Sequence, residues 1–246
     1  MAVVVVGLAK AGFTGGIGVL AAPFLAMVMP IVDAVALLLP LIIVTDIFTV
    51  YQYRKSYDLA ILKRFVPFAL LGVLVGALFF NFFRHHETVL RICIGSLILI
   101  FVVLQIARRL RTGTLLKHTP KPWQTLVLGI LTGFGAMLAH AGGPIGNVYL
   151  LPQKLPRRLH MGTAAMIFFA LNIVKLLPYA VLGLLVTVDL TTLLILTPVT
   201  FISVRIGVFL NSRVSDVWFA RVVYALLLFT GFQLLTGFNL AKLFAG

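Results

Sequence analysis

Carboxylates are nearly missing from this chain: six Asp and Glu stand among 246 residues, against twenty Lys and Arg. So few acidic groups leave little for general acid–base chemistry. No His-Glu-x-x-His, Gly-x-Ser-x-Gly or paired-aspartate arrangement is present either, so an intramembrane enzyme is disfavoured. A single cysteine, Cys93, excludes an internal disulfide and any multi-cysteine metal site. Nothing in the sequence calls for a metal or a cofactor. Charge of either sign is scarce, at 11% of residues, while 61% are hydrophobic and the mean hydropathy is +1.14. A soluble domain is about half apolar and a quarter charged, so a water-soluble globule is excluded. The net charge of +14 would point to a nucleic-acid partner in a soluble protein. Here the basic residues lie between apolar runs, which is the pattern of cytoplasmic loops in a membrane protein and implies no nucleic acid. Residues 1–9 lack the positive start of a cleavable signal peptide, so none is expected.

What the chain has instead is apolar length. A helix crossing hydrocarbon needs about 20 mostly apolar residues. Eight runs qualify: 2–29, 34–53, 65–83, 89–107, 123–151, 161–186, 190–210 and 217–237. A membrane barrel would show short alternating segments. These runs are long and apolar on every side, so the expected fold is an all-α polytopic membrane protein forming one integral domain over residues 1–246.

Two runs are interrupted. The first carries Gly12, Gly15, Gly16, Gly18 and Pro23, and the fifth Gly133, Gly135, Gly142, Gly143, Pro144 and Gly146. Small residues four apart also occur in close helix packing. A dense glycine cluster ended by proline, found twice, is better explained by helix that unwinds, as in the broken helices of transporters. The interruptions belong to an internal repeat. Gly12-Phe13 precedes Pro23 by the interval that separates Gly133-Phe134 from Pro144, and Pro67 to Gly76 matches Pro198 to Gly207. Residues 5–107 read as one copy and 127–237 as the other. The second copy carries extra residues, including Gln153–His160.

Loop charge sets the orientation. If all eight runs simply crossed, the basic loop residues would divide ten against seven. If each interrupted run is a re-entrant hairpin, fourteen gather on one side (Arg54, Lys55, Lys63, Arg64, Arg108, Arg109, Arg111, Lys117, Lys121, Lys154, Arg157, Arg158, Arg213 and Arg221). Only Arg84, Arg91 and Lys242 remain on the other. The positive-inside rule favours the second arrangement, with both termini outside. Each copy is then a hairpin plus three crossings, and the odd number of crossings inverts one copy relative to the other.

Ionisable residues within the runs are costly in hydrocarbon and are candidates for function. They are Lys10, Asp46, His140, Lys175 and Arg205. Lys175 lies about ten residues from each end of its run, roughly 15 Å at the helical rise, too far to reach either interface easily. Asn172, three residues earlier, shares its helix face, and an amide beside an ammonium suits an oxyanion. The plain alternative is an ion pair with Asp46. His140 stands at the break of the fifth run, next to Gly142 and Gly143, where a half-helix N-terminus attracts anions. It could equally be a packed hydrogen-bonding group. Lys10, Gly15 and Gly16 are the matching elements in the first copy, although Lys10 is also able to snorkel. Asp46 aligns with Asn172 between the copies and reads as either a proton-coupling group or a lysine's counter-ion. Arg205 is near enough to the end of its run to snorkel. The basic balance favours an anion as cargo.

Four stretches carry a family likeness: Gly12-Phe13-Thr14-Gly15-Gly16-Ile17-Gly18, Val44-Thr45-Asp46-Ile47-Phe48, Ala139-His140-Ala141-Gly142-Gly143-Pro144, and Phe168 through Asn172-Ile173-Val174-Lys175 to Tyr179. In this order, and over nearly the whole chain, they resemble the TauE/SafE family of sulfite exporters and related sulfonate permeases. The resemblance implies a multi-pass transporter of the bacterial inner membrane for sulfite or an organic sulfonate or sulfoacid. It places the glycine-rich stretches, Asn172, Lys175 and His140 at a central cavity. An anion channel of the same fold would share every residue named. Proton coupling through Asp46 or His140, the direction of transport and a homo-oligomeric state stay open.

Overall fold

The computed structural model describes residues 31–80, 119–140, 142–185 and 190–213, with isolated positions between 82 and 103 and between 215 and 236. Lys10, Gly15, Gly16 and the rest of the first apolar run lie outside the described residues, as do Cys93 and most of the loop after the fourth run. All regular structure among the described residues is helical. The longer elements are α1 (Ile31–Tyr53), α2 (Leu59–Leu78), α3 (Pro122–Ala139), α4 (Gly142–Leu150), α5 (Arg157–Val181) and α6 (Leu190–Arg213), with a 3-10 turn at Leu151–Gln153. Three of them, α1 from Ala36, α2 and α5, are long and apolar enough to cross a membrane.

The helices start earlier than the apolar runs do. α2 begins six residues ahead of its run because Asp58 caps it: one carboxylate oxygen accepts from the Ala60 and Ile61 amides at 2.9 and 3.0 Å. Lys63 and Arg64, which the sequence places in a loop, therefore ride on the exposed first turns. α5 likewise takes in Arg157 and Arg158 behind Pro156. Lys175 consequently sits 18 residues after Arg157 and six before Val181, about 27 Å and 9 Å along the axis. Within the helix, Lys175 is thus nearer the C-terminal end, where Leu182 caps it and Gly183 follows at φ 70°.

The fifth run breaks, as its composition predicts, and its two limbs fold back on each other. Gly142 lies against Ala136, and Gly146 lies beside Thr132 and Phe168. Tyr149 meets Thr125 and stacks on Phe65 of α2 with ring centroids 4.2 Å apart. The pairing descends α3 as it ascends α4, so the limbs are antiparallel. α2 runs alongside α3 in the same direction: Phe68 is beside Gly129, and Gly76 is beside Met137 and Phe134. The start of α3 at Lys121, the start of α2 at Asp58 and the end of the hairpin therefore share one end of the bundle. The α1–α2 loop docks at that end on the first turns of α5. The Asp58 amide donates to the Thr163 hydroxyl at 2.9 Å, and Gly162 presses against the Ser56 carbonyl. Arg54, Lys55, Lys63, Arg64, Lys121, Lys154, Arg157 and Arg158 are thus gathered on one side, which a plain crossing of the fifth run would have split.

One buried core, drawn from α1, α2, α3, α4 and α5, holds these helices together; its larger members include Leu38, Leu39, Phe65, Met137, Leu150 and Tyr179. α5 crosses α1 in antiparallel fashion, and α6 packs on α1 through Phe48 and Phe201, whose rings meet edge-on at 4.9 Å.

Candidate functional site

The break in the fifth run is made by His140. It caps α3 in the left-handed conformation, at φ 51° and ψ 22°, and its amide reaches back to the Gly135 carbonyl. A non-glycine residue in that region costs roughly 1–2 kcal/mol. The glycines expected to unwind do something else. Gly142 and Gly143 open α4, where Pro144, whose missing N–H would have no helical partner, is tolerated. Gly142 also lets the return limb touch the outgoing one, since a Cβ there would stand 2.7 Å from the Ala136 Cβ.

The break delivers His140 to α5. His140 Nδ1 lies 3.0 Å from Lys175 Nζ, and Lys175 is fully buried. The ammonium also stands 5.3 Å from the ring centre of Tyr179, one turn further on, a cation–π distance. The Tyr179 hydroxyl is 3.5 Å from His140 Nε2 and donates to the Met137 carbonyl at 3.3 Å. One turn before Lys175, Asn172 donates from Nδ2 to Asp46 Oδ2 at 2.6 Å, joining α5 to α1. Asp46 and Asn172 are both buried. The geometry thus unites four of the residues singled out in the sequence, namely Asp46, His140, Asn172 and Lys175, across α1, α3 and α5. Gly142 and Gly143 are buried immediately after His140. Asp46 accepts from Asn172, and Lys175 contacts His140.

Arg205 lies apart from this group. It is exposed on α6, with its guanidinium 5.5 Å from the Phe201 ring centre. That position accords with the snorkelling alternative.

Two buried polar contributions escaped the sequence reading. Tyr179 is four residues after Lys175, a spacing that puts both on one helix face and could have flagged it. His160 and Asn147 form a second buried pair, Nε2 to Oδ1 at 3.2 Å, which ties α4 to the start of α5. His160 had been noticed only as part of an insertion. Other buried hydroxyls have a plain role. Thr45, Thr49, Thr132, Thr163 and Ser203 each donate to the carbonyl four residues back in their own helix.

A buried ammonium beside an imidazole, an amide and the N-terminus of a half-helix is equipped to hold an anion. It offers no carboxylate pair for acid–base catalysis. No curated protein and no solved structure matches the chain. The family model for sulfite exporter TauE/SafE matches residues 1–234, nearly the whole length, and so includes every residue of this cluster. With its helices of membrane-crossing length, the chain belongs to the sulfite exporter TauE/SafE family of transmembrane transport proteins.

Proposed function

We propose that the protein is a secondary transporter that carries a small sulfur-containing oxyanion, sulfite or an organic sulfonate or sulfoacid, across the bacterial inner membrane. The family supports a sulfur anion as cargo in general terms. The observation that carries the proposal is Lys175, an ammonium wholly withdrawn from the surface and held at a helix break. Lys175 supplies charge to the cargo. Asn172 and the amides of Gly142 and Gly143 supply hydrogen bonds, and His140 orients the ammonium. Lys10, Gly15 and Gly16 are the elements of the first copy that correspond to these in sequence.

Transport proceeds by alternating access of two inverted halves. Register supports this reading. Asp46 and Asn172, aligned between the copies, meet where α1 and α5 cross. Pro67 precedes Gly76 in α2 by the same interval that separates Pro198 from Gly207 in α6. α2 packs on α5 as α6 packs on α1. The Asp46–Asn172 bond, a contact between positions aligned in the two copies, is compatible with a two-fold axis between the halves. Proton coupling, where it operates, runs through Asp46 or His140.

Flux of sulfite into proteoliposomes tests the central claim. Lys175→Met should lower it roughly a hundredfold, the scale of a lost charged hydrogen bond of about 2–3 kcal/mol, while the protein still elutes as a single species. Undiminished flux would reject the role of Lys175. Cysteines placed at Ser56 and Thr187 test the topology; the inverted arrangement puts them on opposite sides of the membrane. Binding of sulfite, sulfate, thiosulfate, sulfoacetate and an aromatic sulfonate to the purified protein separates inorganic from organic cargo.

A further inference from the structure

α3 stops at Ala139, which leaves the carbonyls of its last turn without helical N–H partners. Tyr179 takes one of them, donating its hydroxyl proton to Met137 at 3.3 Å. It reaches there from α5, fully buried, one turn beyond Lys175. With that proton committed, the phenol oxygen faces His140 Nε2, 3.5 Å away, as an acceptor. On the other side of the same imidazole, Nδ1 faces the Lys175 ammonium at 3.0 Å. A charged Lys175 offers donors and no acceptor, and towards it Nδ1 presents its lone pair. Both neighbours therefore demand the same tautomer, with the proton on Nε2. The sequence of donors runs one way, from Lys175 to His140 to Tyr179 to the Met137 carbonyl.

We infer that Tyr179 is a positioning residue of the anion site: by giving its hydroxyl proton to the Met137 carbonyl and accepting from His140 Nε2, it fixes the imidazole so that Nδ1 stays turned to Lys175. The effect on transport rests on the anion-carrier reading above; the effect on His140 does not. Tyr179 thereby converts a loose end of backbone, produced by the helix break, into the element that aims the buried charge. Its ring face holds the ammonium from a second direction. Without the hydroxyl, nothing supplied by Tyr179 distinguishes the two neutral tautomers, and Lys175 loses its fixed acceptor for part of the time.

The test uses the full chain in lipid nanodiscs with 15N-labelled histidine. The His140 resonances are assigned by their loss in His140→Gln. The native protein should show the Nε2–H tautomer. Tyr179→Phe keeps the ring and so the cation–π contact, and should show a shifted or mixed tautomer signal. In proteoliposomes the same variant should need about five times more sulfite for half-maximal flux, the effect of one net hydrogen bond, with its maximal rate within about twofold. A native His140 carrying its proton on Nδ1, or on both nitrogens, would overturn the inference without any variant having to fold. So would a Tyr179→Phe protein unchanged in either readout. If native sulfite flux is absent, or survives Lys175→Met, the transport reading falls, and the tautomer of His140 still decides the role of Tyr179.

Discussion

α3 meets its neighbours in two unlike ways along its length. Over its middle turns it lies so close to α2 that glycine is required on both helices. A Cβ on Gly133 would land on the Ala69 carbonyl and one on Gly72 on the Ile130 carbonyl. At its far end the helix is cut by His140, and polar groups replace apolar ones: an imidazole, an ammonium and a phenol within 3.5 Å steps. The first contact is dry and leaves no slack. The second is built from hydrogen bonds that a cargo anion can rearrange. One apolar run therefore provides both a fixed backing and an adaptable tip, and the proposed anion site lies at the tip.

The sharpest way to break this contrast is to disturb the backing. Gly133→Val forces a branched side chain into the Ala69 backbone, and overpacking of this kind costs about 1–3 kcal/mol or more. The expected outcome is loss of the single folded species in size-exclusion chromatography. A normal elution profile would show that α2 and α3 are able to separate after all.

His140→Gly addresses the tip. Glycine takes the left-handed conformation freely, so thermal unfolding should be unchanged or slightly delayed, while sulfite flux should fall about tenfold, as for a lost hydrogen bond to a charged group. Full activity would reduce His140 to a helix terminator. A smaller effect is expected between the two regions, at the α1–α5 contact. Asp46→Ala leaves the Asn172 amide buried without that partner and should cost about 1–3 kcal/mol of stability, read as a lowered unfolding temperature, with Asp46→Asn less affected. The smallest is at Arg205. Arg205→Gln removes an exposed group away from the cluster and should leave flux within about twofold, since surface changes rarely exceed 0.5 kcal/mol. A large loss there would extend the site to α6.

The helical class and the position of the second break were legible because both rest on local chemistry, namely apolar length and a cluster of glycine with proline. What the individual glycines do was not. Glycine marks any place where backbone comes close, and α3 uses it both for packing on α2 and for the return of α4, while a histidine makes the turn. Lys175, Asn172, His140 and Asp46 stood out because charge and amides are expensive in lipid. The bond between Asp46 and Asn172 was not legible, because it depends on the antiparallel crossing of α1 and α5, which sequence spacing does not give. Tyr179 went unnoticed because a tyrosine among apolar residues looks like core until the helix break supplies a carbonyl for its hydroxyl. Helix starts were misplaced for a similar reason. Asp58 and Pro156 lie outside the apolar runs and exert their effect through caps, which hydropathy does not register.

The bond between Asp46 and Asn172 has a mechanical meaning if the halves swap roles. A link between equivalent positions is the same seen from either half, so it should persist in inward-open and outward-open forms alike. Lys175 stands one helical turn from that link, so on the proposed mechanism the charge would lie close to the junction of the two halves in both forms.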